Sequence, residues 1–321
     1  MSDLPKDPKV MPGVQLPGVQ LLTEEPLILE AMLAKLAPGY QKEDLPMAAD
    51  FLEEYAMAAE ISEAEVLEPH MLAEAKSHPD WPMWENVIAK ELELLRKAGI
   101  WEVVDAPPNA NIVGSKWVFC VKKDAAGNVV CYKAQLVTQG FSQVPGVDYF
   151  NTFAPVACLA SICAVLAMAV VHDLELHQVN IKEAYLNGKL TNDEVIYMKQ
   201  PPDYPAPNSK GQVCQLLKTF YGLKQSGRRW YQRLVEILVE FLGFLHCEVD
   251  QAVFYKCVST LLIIMLVHVD DCIIVATTLP LINNFKVNLV NHIEITDLGR
   301  LHWLLGIEIC RECECHLIFL S

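Results

Sequence analysis

The longest apolar segment of the chain, residues 260–276 (TLLIIMLVHVDDCIIVA), is two runs of Ile, Val and Leu meeting at His268, Asp270 and Asp271. Each run is too short to span a bilayer and is rich in β-branched residues, so the segment predicts a buried β-hairpin with paired acids at its bend. Neighbouring carboxylates on an apolar hairpin repel each other and resist burial unless a cation or hydrogen-bond donors compensate them. An ordinary solvated Asp-Asp turn has the same local pattern, so the pair alone leaves both readings open.

Other periodicities place the flanking elements. Trp84, Val87, Ile88, Leu92 and Leu95 recur at three- and four-residue spacing, which predicts a helix over residues 79–99 with Asp80 as N-cap and Gly99 as its stop. Residues 101–104 and 116–122 alternate as strands, and a turn at 125–128 leads into a third at 129–137, giving a small antiparallel sheet that bears Lys116, Lys122, Lys123 and Lys133. A nearly all-apolar run at 157–172 predicts a buried helix, followed by a strand at 176–181, a short helical piece to Leu186 and a turn at Asn187-Gly188. Residues 201–212 read as a loop, a basic helix continues through 235–245, and a further helix covers 280–292.

Composition changes this picture little, but charge distribution matters. With 52% hydrophobic residues in 321, the chain can bury one large or two modest cores. Residues 1–75 hold 15 acids against 4 lysines and therefore carry most of the net charge of −15. Together with Pro5, Pro8, Pro12, Gly13, Pro17 and Gly18, they read as an acidic leader, flexible with one or two amphipathic helices. The remainder is near neutral, so bulk charge does not argue against a nucleic-acid partner. Eleven cysteines without a signal-peptide pattern imply free thiols in a reducing compartment. With no apolar run of spanning length, the expected protein is intracellular, cytoplasmic or nuclear, without membrane insertion. Lys218, Lys224, Arg228, Arg229 and Arg233, with no acid among them, interleave with Phe220, Tyr221, Trp230 and Tyr231. That pattern suits phosphates and stacked bases, and equally the solvated basic face of a helix.

The order of motifs resembles the reverse transcriptase domain of copia-type retrotransposon polyproteins. The matching stretches are VGSKWVFCVKKDAAGNVVCYKAQLVTQGFSQVPGVDYFNTFAPVA, HQVNIKEAYLNGKL, VIYMKQPPDY, FYGLKQSGRRWY, LGFLHCEVDQAVFY, HVDD and DLGRLHWLLGIEI. The resemblance implies an α+β right-hand polymerase with fingers and an antiparallel palm sheet. On it, residues 1–75 are the leader, 76–98 a helix leading in, and 99–321 fingers and palm with the thumb largely missing. It also implies Mg²⁺ or Mn²⁺ as cofactor, with an RNA or DNA template-primer and dNTPs as partners. Two ions held between carboxylates of neighbouring palm strands would activate the primer hydroxyl and bridge the nucleotide phosphates.

Asp270 and Asp271 match the family's hairpin carboxylates, with His268 in place of a usual Tyr. The third carboxylate is expected in the strand leading into AYLNG, where this chain has Asn180, a neutral amide with one carbonyl oxygen. A crippled polymerase, or a non-enzymatic remnant that is inert or binds nucleic acid, is the resulting expectation. Gln135 stands where an Arg would grip the triphosphate. Cys120, Cys131, Cys158 and Cys163 fall where the family often carries Lys, Arg or Ser-Ile-Arg, and Thr138 replaces a common Ala. Arg to Cys, Arg to Gln, Asp to Asn and Ala to Thr are each reachable by one C-to-T change on one DNA strand. A transposon copy decayed by cytosine deamination is therefore expected, its coding DNA enriched in TpG and CpA.

The resemblance further assigns Gln225 to the sugar and base of the nucleotide and Tyr185 to discrimination against a ribose 2′-hydroxyl. Lys116 and Lys133 would hold phosphates, and Lys224, Arg228 and Arg229 would lie on the nucleic-acid track. Taken on pattern alone, these are also a surface amide, a core aromatic and a solvated sheet face. Cys310, Cys313, Cys315 and His316 have the composition of a metal cluster but lack paired Cys-x2-Cys spacing.

Overall fold

The structure is a computed structural model, and it describes residues 68–123, 128–312 and 317–320. The predicted acidic leader lies almost entirely outside the described residues. A short helix α1 (Leu72–Ser77) precedes α2 (Trp81–Ala98), which buries Trp84, Ile88 and Leu95 at the spacing the sequence predicts. Gly99 ends α2 in the left-handed region at φ 60°, where its N–H reaches the Arg96 carbonyl. Asp80 departs from expectation: it stands at the N-cap but makes no capping bond, and its carboxylate instead accepts the Tyr132 hydroxyl at 3.0 Å.

Tyr132 belongs to a long hairpin. After β1 (Trp101–Val104) and β2 (Ile112–Val113), β3 (Ser115–Lys123) pairs antiparallel with β4 (Val129–Thr138). Trp117, Phe119, Val121, Ala134 and Leu136 are buried in the cluster that contains the apolar side of α2, and Trp84 meets Phe119 and Tyr132 edge-on at 5.2 and 4.7 Å. Lys116, Cys120, Lys122, Cys131, Lys133 and Gln135 share the opposite face, as a period of two requires. Most of the predicted turn at 125–128 lies outside the described residues.

A buried helix α3 (Leu159–Val171) leads to β5 (Glu175–Ile181), a 3₁₀ turn (Ala184–Asn187), β6 (Tyr197–Met198) and β7 (Val213–Leu216). A small sheet in the order β1-β7-β6-β2 joins these to the hairpin side of the molecule. Then come α4 (Ser226–Val235), which runs into a π-helical turn (Glu236–Phe241), β8 (Leu245–His246), β9 (Val253–Val258), β10 (Leu261–His268) and β11 (Asp271–Ala276). The helix predicted to reach residue 245 stops at this turn; residues 245–246 are already strand. Next are α5 (Leu279–Val290), β12 (Ile295–Arg300), β13 (Trp303–Leu304), β14 (Ile307–Glu312) and β15 (Leu317–Leu320).

The principal sheet has six strands in the order β12-β5-β11-β10-β9-β8, all neighbours antiparallel. Leu176, Ile264, Leu266, Ile273 and Val275 face α3, whereas Val179, Ile263, Met265, Val267, Cys272 and Ile274 face α4 and α5. Helices on both faces explain why β10 and β11 read as unbroken apolar runs and not as alternating ones. Lys286 of α5 is buried against this sheet, 2.8 Å from His177 Nδ1 and 2.5 Å from Asp297. Among the described residues no helix is long and apolar enough to cross a membrane.

Candidate functional site

The hairpin of β10 and β11 closes through Val269 and Asp270, with His268 paired to Asp271 at its mouth. Val269 has φ 56°, a left-handed conformation that a β-branched residue rarely adopts and that a turn of this kind normally gives to Gly. The conformation is held from outside: the Trp230 indole N–H of α4 donates to the Val269 carbonyl at 2.8 Å. Strain sustained by a buried aromatic anchor fixes where the two acids point.

β5 lies beside β11, and their register sets Asn180 directly opposite Asp271. The Ile181 N–H donates to the Asp270 carbonyl at 2.7 Å, which ties the turn to the same strand. Asn180 Nδ2 donates to Asp270 Oδ2 at 3.2 Å and to Asp271 Oδ1 at 3.1 Å. The amide orientation with nitrogen toward the acids is the one this network requires, since the carbonyl oxygen would repel both. Asn180, Asp270 and Asp271, three residues singled out in the sequence, are thus brought to one point, and a neutral donor sits between two half-exposed carboxylates. Cys272 follows them but is fully buried, and its thiol is pushed well above its ordinary value by desolvation and then by Asp271 and Asp270.

A second acidic group adjoins the first and gives no sign of itself in the sequence. Glu183 has φ 49° and accepts the Tyr221 hydroxyl, whose acidity is suppressed by burial and by that bond. Glu91 of α2 accepts the Leu136 N–H at 3.3 Å, and burial, opposed by that bond and reinforced by the charge of Glu183, pushes it up to about 7. Tyr185 stands edge-on to Tyr221, 6.0 Å between centroids, and lines a small cleft with Pro155, Gly227, Trp230 and Val269. Positive φ at a non-glycine next to a strand end cannot be read from residue identity, and the partners are 38 and more positions apart.

The expected binding residues separate into those that are exposed and those engaged internally. Lys116 and Lys133 project from the outer face of the β3–β4 hairpin, with Gln135 half-buried between them and the core edge. Lys224 is exposed and Arg228 half-exposed. Gln225, however, is fully buried: its amide pairs with Gln143 at 3.1 Å and donates to the Asp148 carbonyl at 2.9 Å, so it holds a loop and offers no free amide to a nucleotide. Arg229 forms an ion pair at 2.7 Å with Glu194, whose side chain is nearly inaccessible. Lys218 donates to the Ala98 carbonyl at the end of α2, and Arg233 pairs with Glu236. Three of the five cations in the basic run therefore stabilise the fold. Thr138, also buried, donates its hydroxyl to the Tyr221 carbonyl at 2.8 Å. Cys158 caps α3, its sulfur accepting the Ser161 N–H, while Cys131 and Cys163 are exposed. Among the described residues no three His, Cys, Asp or Glu side chains gather as metal ligands. Cys310 is exposed on β14, whereas Cys313, Cys315 and His316 lie outside the described residues.

Residues 98–320 match the family described as reverse transcriptase (RNA-dependent DNA polymerase). Among curated proteins, the Retrovirus-related Pol polyprotein from transposon TNT 1-94 of Nicotiana tabacum is 37% identical over 79% of this chain. Those of transposons RE1 and RE2 of Arabidopsis thaliana are 37% and 31% identical over 71% and 96% of it. The alignments span only 19%, 15% and 20% of these relatives, so the chain corresponds to about a fifth of their length or less. The match covers every described strand together with Asn180, Asp270 and Asp271, and the chain belongs to the reverse transcriptase (RNA-dependent DNA polymerase) family, as a copia-type domain of a transposon polyprotein.

Proposed function

We propose that residues 99–321 are the fingers and palm of a right-handed polymerase of RNA-directed DNA synthesis by descent, in which Asn180 has disabled the catalytic centre. On this reading the β3–β4 hairpin with α2 is the fingers, the six-stranded sheet is the palm, and residues 1–75 are an appended leader. The observation that carries it is the Asn180 amide nitrogen donating to both Asp270 and Asp271.

Divalent ions supply the chemistry in this family, and the donor set here does not fit two of them. Two carboxylates remain, and the third position is an amide that satisfies those carboxylates as a hydrogen-bond donor and contributes no negative charge. What the chain's own residues retain is positioning. Trp230 fixes the Val269 turn, Tyr185 sits in the cleft beside it, and Lys116, Lys133, Lys224 and Arg228 offer charge to phosphates. Gln135, lacking the guanidinium fork, would grip a triphosphate weakly.

Primer extension on an RNA template with Mg²⁺ or Mn²⁺ tests the reading. The wild-type chain is expected to be inactive and Asn180→Asp to extend the primer; wild-type extension undiminished relative to that variant overturns it. No gain in the variant would favour the second reading, a non-enzymatic remnant that binds nucleic acid, for which the two exposed lysines on the outer hairpin face speak.

A further inference from the structure

The outer face of the β3–β4 hairpin is basic and has no counter-charge of its own. Lys116, Lys122 and Lys133 stand on it, Lys123 is exposed at its far end, and neither strand contains an Asp or Glu. Cys120 pairs with Lys133 and Lys122 with Cys131, which makes Lys122 and Lys133 diagonal neighbours about 7–8 Å apart, inside the screening length of about 8 Å at physiological salt. Among the described residues none of these four lysines enters an ion pair. Glu91, which Lys133 senses at longer range, is bonded to the Leu136 N–H instead. Val118 is exposed on the same face, so the surface is apolar as well as cationic.

The described part of the chain begins at the edge of this hairpin. Glu68 accepts the Val121 N–H at 2.6 Å, and Val121 immediately precedes Lys122. Just before Glu68 the sequence is acidic: residues 43–65 hold eight Asp and Glu and no Lys or Arg, with Phe51, Leu52, Tyr55, Met57 and Ile61 interspersed. An extended chain covers at most about 3.3–3.6 Å per residue, so Glu65 stays within about 11 Å of Glu68. Glu53, fifteen positions back, reaches any point of a ribbon on which Lys116 and Lys122 are about 20 Å apart. A tether this short gives an effective concentration in the millimolar range.

We propose that the acidic segment 43–65 docks in cis on the Lys116, Lys122 and Lys133 face of the β3–β4 hairpin and occludes it. Opposite charge selects this segment, and the Glu68 bond to β3 delivers it to the face. A second copy of the chain would bring an identical segment, but at a far lower effective concentration. Exposed Val118 offers the interspersed apolar side chains a contact between the lysines. The contact is independent of whether the chain polymerises, because it involves neither the carboxylate turn nor Asn180.

Zero-length carbodiimide crosslinking of the full chain, read by peptide mass spectrometry on a mixture of isotope-labelled and unlabelled protein, is the test. At low salt, links should join Glu53 or Glu54 to Lys116, Lys122 or Lys133 within one chain. They should disappear at about 1 M salt, where the screening length falls to about 3 Å. Links confined to Glu65 and Lys122 would report the tether alone and overturn the docking. So would links between labelled and unlabelled chains, or links from Glu53 and Glu54 scattered over exposed Lys182, Lys210 and Lys224. A second measurement uses inorganic polyphosphate as a probe of the free face. Glu53→Gln, Glu54→Gln, Glu60→Gln, Glu63→Gln and Glu65→Gln together should tighten its binding about tenfold, the gain expected where the face is open in about one chain in ten. The same change of five charges at exposed acids elsewhere, Glu102→Gln, Asp193→Asn, Glu240→Gln, Glu294→Gln and Glu308→Gln, should not. Equal gains in the two variants, or no gain in the first, overturn the docking.

Discussion

Replacing Asn180 by Asp should convert a principal sheet that is stable without metal into one whose stability depends on it. The Asn180 amide makes two hydrogen bonds to carboxylates, at 3.2 and 3.1 Å. Bonds to charged acceptors contribute about 1.5–3 kcal/mol each, and Asn180→Asp loses at least one of them. The new carboxylate would face two others at similar distance, and each like-charge pair costs about 1 kcal/mol in water and about 4 at an effective dielectric of about 20. The three side chains are half-exposed, so the true cost lies between these limits. It is bounded by proton uptake, at about 1.4 kcal/mol per pH unit between an ordinary carboxyl value near 4 and pH 7, or about 4 kcal/mol. The net loss at pH 7 in EDTA should be about 3–6 kcal/mol, a large share of a typical domain stability of about 5–15 kcal/mol. The sign follows from the raised affinity for a proton: the penalty is full at neutral pH and fades as pH falls toward 4. Mg²⁺ or Mn²⁺ at about one hundred times its Kd should return about 2.7 kcal/mol to the variant and close to nothing to the wild type. Urea unfolding of both chains, with EDTA and with each ion, reads these numbers directly. Equal stability of the two chains in EDTA, or an equal response to metal, would refute the view that Asn180 replaces a cation between the acids.

Three other substitutions probe the supports of the site, and a fourth, on the exposed surface, is their control. Val269→Gly relieves a left-handed φ of 56° and should raise stability by about 1 kcal/mol, or Tm by about 2–4 °C, measured by thermal denaturation. Glu91, with its value raised by burial to about 7 from an ordinary 4.5, binds its proton more tightly in the fold than in the unfolded chain. Its contribution is therefore full below pH 4.5 and is lost as pH rises through 7, by up to about 3 kcal/mol before allowance for partial exposure; Glu91→Gln should flatten that part of the urea midpoint against pH. Arg229→Ala strands the buried Glu194 carboxylate and should cost about 3–5 kcal/mol in chemical denaturation, whereas Lys224→Ala on the exposed surface should cost under about 0.5.

How much of this was legible in the sequence depended on how local the determining interaction is. The runs at 260–276, the spacing of Trp84, Ile88 and Leu95, and the alternation around Trp117 and Leu136 encode burial in their own periodicity, so elements and even faces could be read directly. That Asn180 and Asp271 lie on adjoining strands was also legible from motif order, although their direct opposition appears only in the structure. Partners that arrive from far along the chain were not. The run of cations from Lys218 to Arg233 looked like one basic surface, yet Glu194 and the Ala98 carbonyl withdraw Arg229 and Lys218 from it. Gln225 looked like a ligand and proved to be a buried strut, since an amide has the same letters in either role. The Glu91, Glu183 and Tyr221 group depends on a backbone twist and on burial, neither of which residue type announces. The same distinction bears on Asn180. Removing a metal ligand by deletion of its charge would leave two acids repelling one another at a strained turn, but an amide supplies donors to both from the same backbone position. Under the disabled-polymerase proposal, the position that would extinguish the chemistry is therefore one the fold accommodates without a cation, and a chain of this kind would lose catalysis while keeping every strand of its principal sheet.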